Sequence, residues 1–299
     1  MAVTLNTAPI PAAGTLQRSD MLSLLTAKAK LVRQQTVRLS GIAGAGHYTG
    51  TFSCAELLAA LYYSQLRVRP AEPAWPGRDR FVLSKGHAAI GLYPLLADLG
   101  YFPAGLLDNY TRLNSRFGDH PDMRKVPGAD FSSGSLGHGL SVALGMALAA
   151  RVTGRDYLTY CMLGDGELAE GQVWSAAMAA GHFRAAGLVA IVDRNQLSID
   201  GSTEDVMGVE PLGDKFAAFR WEVRRIDGHD YDQILEAFGY ARDRADDRPL
   251  CVIADTVKGR GVRRMELDKD WHVGNLTGPD YDDVMVELEA GLQPVRSLG

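Results

Sequence analysis

Cysteine is scarce in this sequence. Its three cysteines, Cys54, Cys161 and Cys251, are too few and too scattered over 299 residues for a disulfide framework or a zinc site. Cys161 and Cys251 fall inside predicted strands, and Cys54 lies at the start of a predicted helix. Each is therefore expected to be a small buried hydrophobic residue.

The sequence also lacks a long apolar run and a dominant charge. Its longest apolar run, around residues 141–150, is rich in alanine, is interrupted by Gly145 and is too short to span a bilayer. The N-terminus shows no basic region followed by an apolar one, which predicts no secretory signal and a cytoplasmic location. The net charge of −5, with acidic and basic residues interspersed, offers no basic face for nucleic acid or a membrane.

What the sequence does contain is an alternation of short apolar runs with helical segments. With 46% hydrophobic residues the chain can bury a substantial core, and we predict one α/β domain over residues 19–299 after a flexible tail, residues 1–18. The alternation predicts a doubly wound, mostly parallel sheet with helices on both faces. The predicted strands are residues 81–84, 157–163, 188–192, 222–226 and 250–257.

The first two helices carry recognisable end signals. Ser19 is a candidate N-cap for a helix that Gly41 would end. Ser53 and Glu56 have the spacing of a capping box at the start of the second helix. We therefore predict that these polar side chains hold helix ends.

The most informative stretch runs from Tyr157 to Gly201. Asp165 lies between Gly164 and Gly166 directly after one predicted strand, and Asn195 follows the next strand. In a parallel sheet both side chains then lie at the same carboxyl edge, where ligands bind. A lone Gly-Asp-Gly is often a plain turn, but this placement predicts a divalent cation that also contacts phosphate oxygens, for which Mg²⁺ is suited.

Glycine and serine are concentrated just before two helical segments. The segment GIAGAGHYTG contains His47, which is either an exposed side chain or one placed next to a ligand. Residues 132–139, SSGSLGHG, precede a small-residue helix. This segment is either a surface loop or a place where the backbone approaches a flat or phosphorylated ligand.

Among the seven histidines, some lie where catalytic groups gather and some do not. His182 falls within a helix and His229 at a helix start, and both are interpreted as structural. Four others stand in irregular segments beside or beyond strand ends, where neutral imidazoles could bind hydroxyls and exchange protons. They are His47, His87, His120 and His272.

Taken together these motifs resemble transketolase, and in particular the amino-terminal, diphosphate-binding part of a thiamine diphosphate enzyme. The resemblance covers roughly residues 20–275, and it depends on the order and spacing of several motifs. These are Gly46-His47, Ser84-Lys85-Gly86-His87-Ala88, Gly118-Asp119-His120-Pro121, Ser133-Gly134-Ser135-Leu136-Gly137-His138-Gly139, Gly164-Asp165-Gly166, Asp193-Arg194-Asn195 and Asp227-Gly228-His229-Asp230.

The resemblance implies roles for particular residues. Asp165, Asn195 and the main-chain oxygen of Leu197 would hold Mg²⁺, or Ca²⁺ or Mn²⁺, on the diphosphate of thiamine diphosphate. The wider set implied to contact the cofactor is His87, Gly134, Leu136, Gly164, Asp165, Gly166, Glu167 and Asn195. The catalytic set, which would bind sugar hydroxyls and move protons, is His47, His87, His120 and His272. The implied reaction transfers a two-carbon ketol unit from a ketose, with or without a phosphate, to an aldose, while the cofactor does the carbanion chemistry.

The resemblance also implies a partner. The family's second, pyrimidine-binding domain is not in this sequence, so we predict that a separately encoded transketolase subunit joins it in an α2β2 heterotetramer. Three departures from the family pattern are Ser175 in place of a glutamate, Val273-Gly274-Asn275 after His272, and Lys85 in place of a common asparagine. Two alternatives are the α subunit of a 2-oxo acid dehydrogenase, which lacks the histidine series, and a cofactor-binding subunit without catalytic activity.

Overall fold

A computed structural model describes residues 16–292 of the chain. Its centre is a five-stranded sheet in which every pairing is parallel and the strand order is β1-β2-β3-β5-β4. The strands are β1 (Arg80–Leu83), β2 (Thr159–Gly164), β3 (Leu188–Arg194), β4 (Glu222–Asp227) and β5 (Leu250–Asp255). The predicted strands are therefore all present within the described residues, although β5 ends two residues before the predicted Val257.

Helices cover both faces of this sheet. The α-helices are α1 (Arg18–Ala43), α2 (Thr49–Phe52), α3 (Ala55–Ala60), α4 (Ala89–Asp98), α5 (Gly139–Val152), α6 (Gly171–His182), α7 (Thr203–Met207), α8 (Leu212–Ala218), α9 (Tyr231–Asp243) and α10 (Pro279–Ala290). Short 3-10 turns occur at Gly86–Ala88, Ala104–Asn109, Gly166–Ala169 and Lys269–Trp271, and a π-helical turn at Leu61–Gln65.

The alternation of side chains along each strand explains the two layers. Tyr160 and Met162 of β2 point into the core that includes α1, α3, α4 and α9. Cys161 and Leu163 point into the opposite core, formed with α5, α6 and α8. Because successive strand residues face opposite sides, one apolar run supplies both cores. The predicted doubly wound α/β fold is confirmed.

A smaller apolar cluster holds the C-terminal helix. Val284 and Leu288 of α10 are buried against Val37 of α1. Helix α10 thus packs on α1. None of the helices between residues 16 and 292 has both the length and the apolar character needed to cross a membrane. All three cysteines are buried and free, as the sequence indicates.

The predicted helix ends were wrong at both helices. Helix α1 begins at Arg18 after Gln17, without a capping contact from Ser19, and it ends at Gly44 (φ 85°), whose N–H donates to the Ser40 carbonyl. Ser53 and Glu56 do not form a capping box, because longer-range partners bind both side chains. The Ser53 hydroxyl donates to Asp193 at 2.6 Å.

The predicted tail is only partly described. Residues 1–15 lie outside the described part of the chain, and Arg18 already belongs to α1.

Candidate active site

The carboxyl ends of β1, β2, β3 and β5 open into one cavity of about 370 Å³. Every residue that the sequence implicated in catalysis, cofactor binding or metal binding lines it. Those residues are His47, His87, His120, Gly134, Leu136, Gly164, Asp165, Gly166, Glu167, Asn195, Leu197 and His272. Sequence reasoning gave no role to the other residues of the wall, namely Gly50, Lys85, Ser198, Ile199, Asp200, Val206 and Lys258.

Asp165 and Asn195 form an oxygen-rich corner of this cavity. Parallel pairing of β2 and β3 aligns Gly164 with Asp193, so the residues that follow each strand become neighbours. Asp165 accepts hydrogen bonds from the N–H groups of Gly166 at 2.9 Å and Gln196 at 2.6 Å. Burial, with the nearby charge of Asp193, raises the pKa of Asp165 to about 6. A buried carboxylate of this kind is stabilised by a cation.

The turn after β3 adds neutral oxygens to the same corner. Gln196 adopts a left-handed conformation (φ 67°), and the Asn195 side-chain oxygen accepts from the Leu197 N–H at 3.2 Å. The Leu197 carbonyl accepts a hydrogen bond from the Lys258 ammonium at 2.6 Å, which places a positive charge beside the corner. Among the described residues no group of three or more His, Cys, Asp or Glu side chains could hold a metal. Any cation here would therefore depend on the single carboxylate of Asp165 together with amide, carbonyl and ligand oxygens, as Mg²⁺ accepts.

A buried ion pair lies directly beneath the corner. The Lys85 ammonium binds the Asp193 carboxylate and the Gly50 carbonyl, the latter at 2.6 Å, and both charged side chains are almost completely buried. Burial alone would lower the pKa of Lys85, but the negative charge of Asp193 more than compensates, so the pKa of Lys85 is raised. Thr256 also donates to Asp193. Lys85, a departure from the family pattern, is thus a permanent cation in the cavity wall.

Glu167 shapes the wall that carries Gly134 and Leu136. One carboxylate oxygen accepts from the Ser84 hydroxyl and, at 2.8 Å, from the Gly137 N–H. The other accepts from the Gly164 N–H at 3.1 Å. Because these bonds occupy both oxygens, Glu167 supports the loops around the cavity through their backbones.

The histidines predicted from irregular segments meet on the other side of the cavity. The ring centroid of His47 lies 5.2 Å from that of His87, 5.5 Å from that of His272 and 6.3 Å from that of His120. An antiparallel bridge between Gly46 and Gly274, with N–H···O distances of 2.9 and 3.1 Å, holds the His47 and His272 segments together.

Two of these imidazoles are held in the neutral form. Burial, followed by the charge of Lys85, lowers the pKa of His87 well below its usual range. Burial and Lys258 lower the pKa of His272 to about 3. A neutral imidazole can both donate and accept hydrogen bonds, so these rings can bind hydroxyl groups at neutral pH. The buried Nδ1 of His272 has no hydrogen-bond partner among the described residues and is available for such a contact.

Two other histidines lie away from the cavity. His182 is exposed at the end of α6 and packs edge-on against Phe183, with ring centroids 4.9 Å apart. His229 is half-buried in a structural network: its Nδ1 lies 3.0 Å from Glu56, and its Nε2 accepts from the Val257 N–H at 2.8 Å. The structural interpretation of His229 holds, whereas His182 is a surface residue.

Fold and cavity together define an α/β enzyme domain with an oxygen-rich corner, two lysines and a histidine cluster at the carboxyl edge of a parallel sheet. The family model for "Transketolase, thiamine diphosphate binding domain" matches residues 26–297. The chain belongs to the transketolase family. The predicted fold, thiamine diphosphate-binding domain and transketolase-type transferase class are thereby confirmed.

Relatives of two lengths match the chain. It is 43% identical over 262 residues to the 6-deoxy-6-sulfo-D-fructose transketolase subunit SqwG of Clostridium sp. strain MSTE9, covering 88% of this chain and 95% of that protein. It is 40% identical to one of the subunits of the apulose-4-phosphate transketolase of Phocaeicola vulgatus, covering 88% and 93%. Against rat transketolase it is 35% identical over 93% of its own length but spans only 44% of that enzyme.

Solved structures agree with this assignment. A transketolase from Pichia stipitis, in a complex with sedoheptulose 7-phosphate, superimposes with a TM-score of 0.83 at 30% identity, over 89% of this chain and 41% of that one. The Leishmania mexicana transketolase gives a TM-score of 0.82 at 28% identity, over 89% and 41%. The chain thus corresponds to less than half of a full-length transketolase and to nearly all of the related subunits. These matches support a two-subunit transketolase.

Proposed function

We propose that this chain is the diphosphate-binding subunit of a two-subunit transketolase, with a site completed by a separate pyrimidine-binding subunit. The proposal depends on one observation: the oxygen-rich corner around Asp165 and Asn195 and the four-histidine cluster line the same cavity of about 370 Å³. A cavity of this size falls in the range of cofactor sites. Neither feature alone would specify sugar chemistry on a diphosphate cofactor.

The residues of the corner fit a metal-bound diphosphate. Asp165, Asn195 and the Leu197 carbonyl would hold a divalent cation, Mg²⁺ or alternatively Ca²⁺ or Mn²⁺, and the cofactor's phosphate oxygens would complete its shell. Lys258 lies at the same corner and would neutralise phosphate charge. The buried Ser133 hydroxyl, without a partner among the described residues, adds a further donor to the loop that includes Gly134.

The histidine cluster would act on the sugar. Thiamine diphosphate, when bound, supplies the stabilised carbanion needed to move a two-carbon ketol unit. His47, His87, His120 and His272 would bind the hydroxyls of the ketose donor and aldose acceptor and transfer their protons. Gly50 makes room for this arrangement, since a Cβ there would lie 3.1 Å from Nε2 of His87.

The proposal of a partner is supported by the length of the related subunits and by the cavity rim. Ile199 and Val206 line the cavity and yet are 62% and 46% exposed. Apolar side chains exposed beside a ligand site are typical of a surface that another polypeptide covers. An α2β2 heterotetramer is part of the same proposal. The cytoplasmic location stays a prediction from the sequence.

The substrate proposal is a ketose donor with a charged distal group. The names of the two related subunits specify a sulfonated and a phosphorylated ketose. Recognition of that distal group is assigned to the partner, as the resemblance implies. A kinetic comparison of sulfonated, phosphorylated and uncharged ketoses with the reconstituted pair would identify the donor.

The first test is binding by the chain alone. Calorimetry with thiamine diphosphate and Mg²⁺ is expected to show cation-dependent binding that Asp165→Asn weakens at least about tenfold, because a charged ligand is lost. His182→Ala is a matched surface control and should bind as the unaltered chain does. Equal affinity of D165N and the unaltered chain would contradict the metal assignment.

The second test is turnover with the partner. His87→Ala in the reconstituted complex is expected to lower kcat by roughly 100-fold or more, because a proton-transferring group is removed. Unchanged turnover would instead favour the non-catalytic alternative, whereas activity towards 2-oxo acids would favour the dehydrogenase alternative. Turnover by the chain without its partner would contradict the two-subunit proposal.

A further inference from the structure

A carboxylate, Asp119, lies inside the histidine cluster. Its Oδ1 is 3.3 Å from Nδ1 of His47, and its Oδ2 is 3.7 Å from Nδ1 of His120. The Tyr110 hydroxyl donates to the same Oδ1 at 3.3 Å. Among the described residues no lysine or arginine forms an ion pair with Asp119. The groups beside it that can carry a positive charge are the imidazoles of His47 and His120.

The loop that carries Asp119 is firmly anchored. The hydroxyl of Tyr93 donates to the carbonyl of Gly118 at 3.0 Å. Phe117 is fully buried, with its ring 5.3 Å from that of Tyr93 and 4.8 Å from that of Phe102. These contacts fix the backbone on the residues directly before Asp119, so that its carboxylate is held towards His47 and is not a freely rotating surface charge.

The charge state of Asp119 agrees with this placement. Partial burial alone would raise the pKa of its carboxyl, but the hydrogen bond to His47 and the nearby imidazoles outweigh burial and lower it. The carboxylate is therefore ionised at neutral pH. An ionised carboxylate has no proton to donate and can only accept hydrogen bonds.

We propose that Asp119 is a positioning residue that fixes His47 in the tautomer with its proton on Nδ1. Since the carboxylate only accepts, Nδ1 must donate, and in a neutral ring Nε2 then carries the free lone pair. Nε2 of His47 is thereby kept as an acceptor for a proton or a hydroxyl. The consequence of this tautomer for catalysis rests on the proposed function, whereas the tautomer itself is a property of this chain.

The same arrangement assigns different roles to neighbouring rings. His87 and His272 are half-buried neutral imidazoles near Lys85 and Lys258, whereas His47 has a carboxylate partner. Within the cluster His47 is therefore the ring whose Nδ1 has an ionised acceptor at hydrogen-bond distance.

The tautomer is measurable without any substrate or partner. In the chain labelled with ¹⁵N-histidine, long-range ¹H–¹⁵N spectra at pH 8 are expected to show His47 protonated at Nδ1. Asp119→Ala should move it towards the Nε2-protonated form, and Asp119→Asn should retain most of the Nδ1 form, because an amide oxygen still accepts. A His47 signal that is Nε2-protonated in the unaltered chain, or unchanged in D119A, would overturn the proposal.

A control from the same loop separates positioning from general disturbance. Asp122 accepts from the Ser132 hydroxyl and the Arg124 N–H and pairs with Arg124 and Lys125, and among the described residues it forms no hydrogen bond or ion pair with a histidine. Asp122→Asn should therefore leave the His47 signals unchanged. Because the Asp119 side chain is 41% exposed, D119A is expected to fold, with unchanged circular dichroism and cofactor affinity. A shift of the His47 signals in D122N equal to that in D119A would overturn the specific role.

Kinetics with the partner test the catalytic consequence. D119A is expected to lower kcat by about 10- to 100-fold, as loss of an orienting partner does at other histidine sites. D119N should fall between D119A and the unaltered chain, and D122N should match the unaltered chain. Full turnover by D119A, despite a changed tautomer, would overturn the positioning role. Absence of turnover by the unaltered pair would instead contradict the proposed function and leave the tautomer result intact.

Discussion

Replacement of Lys85 by methionine tests how the buried charges beneath the cavity are balanced. Lys85 and Asp193 have side chains that are 1% and 0% exposed, and they contact each other directly. Removing one member of a buried ion pair leaves the other charge uncompensated and typically costs about 3–5 kcal/mol. Ser53 and Thr256 still donate to Asp193, so we expect the lower end of that range, about 3 kcal/mol.

The measurement is urea unfolding of the isolated chain at pH 7, followed by circular dichroism. Lys125→Met is a matched control, since the Lys125 side chain is 62% exposed and its removal should change stability by no more than about 0.5 kcal/mol. The double variant with Asp193→Asn removes both charges and should recover at least about 1 kcal/mol relative to K85M. A loss below about 1 kcal/mol in K85M, or no recovery in the double variant, would refute the reasoning.

Two further variants test packing and protonation. Gly181→Ala would place a Cβ 1.8 Å from the Phe219 carbonyl oxygen and should lower the free energy of unfolding in urea by about 2–3 kcal/mol. Gly145→Ala is the control, because it has open space around it and should be neutral or stabilising. Equal effects of the two variants would contradict the close packing at Gly181. The pKa of His272 falls from 6.5 in the unfolded chain to about 3 through burial and Lys258, so its contribution to stability is complete above pH 6.5 and is lost as the pH falls. As the pH falls from about 6.5 to about 5, the free energy of unfolding of the unaltered chain should therefore fall by about 1 kcal/mol more than that of His272→Gln, after allowance for partial exposure. Parallel curves of unfolding free energy against pH for the two proteins would contradict the lowered pKa of His272.

Much of the site was predictable because its residues follow directly after strands that the sequence reveals. Asp165 and Asn195 follow apolar runs whose parallel pairing brings them to one edge of the sheet, and both the runs and the residues after them are visible in the sequence. The histidines could be selected by their irregular surroundings. Their meeting could not be derived from the residues, because the bridge between Gly46 and Gly274 joins distant parts of the chain.

The errors came from side chains whose partners are remote in sequence. Glu56 has the spacing of a capping residue, yet its carboxylate binds the Arg33 guanidinium with two hydrogen bonds of 2.7 Å and also meets His229. A buried bidentate ion pair outweighs a local cap, which is worth about 1 kcal/mol. Lys258 was overlooked for a similar reason, since its contact with Leu197 exists only after β3 and β5 have paired.

The pairing of β1 with β2 has a consequence for how the molecule assembles. The two strands are neighbours in the sheet, yet residues 84–158, which carry His87, His120 and Gly134, form the excursion between them. Closing such a loop costs about 4 kcal/mol of chain entropy. The connection between β2 and β3 is much shorter, so a nascent chain can bring Asp165 and Asn195 together while its active-site histidines are still apart.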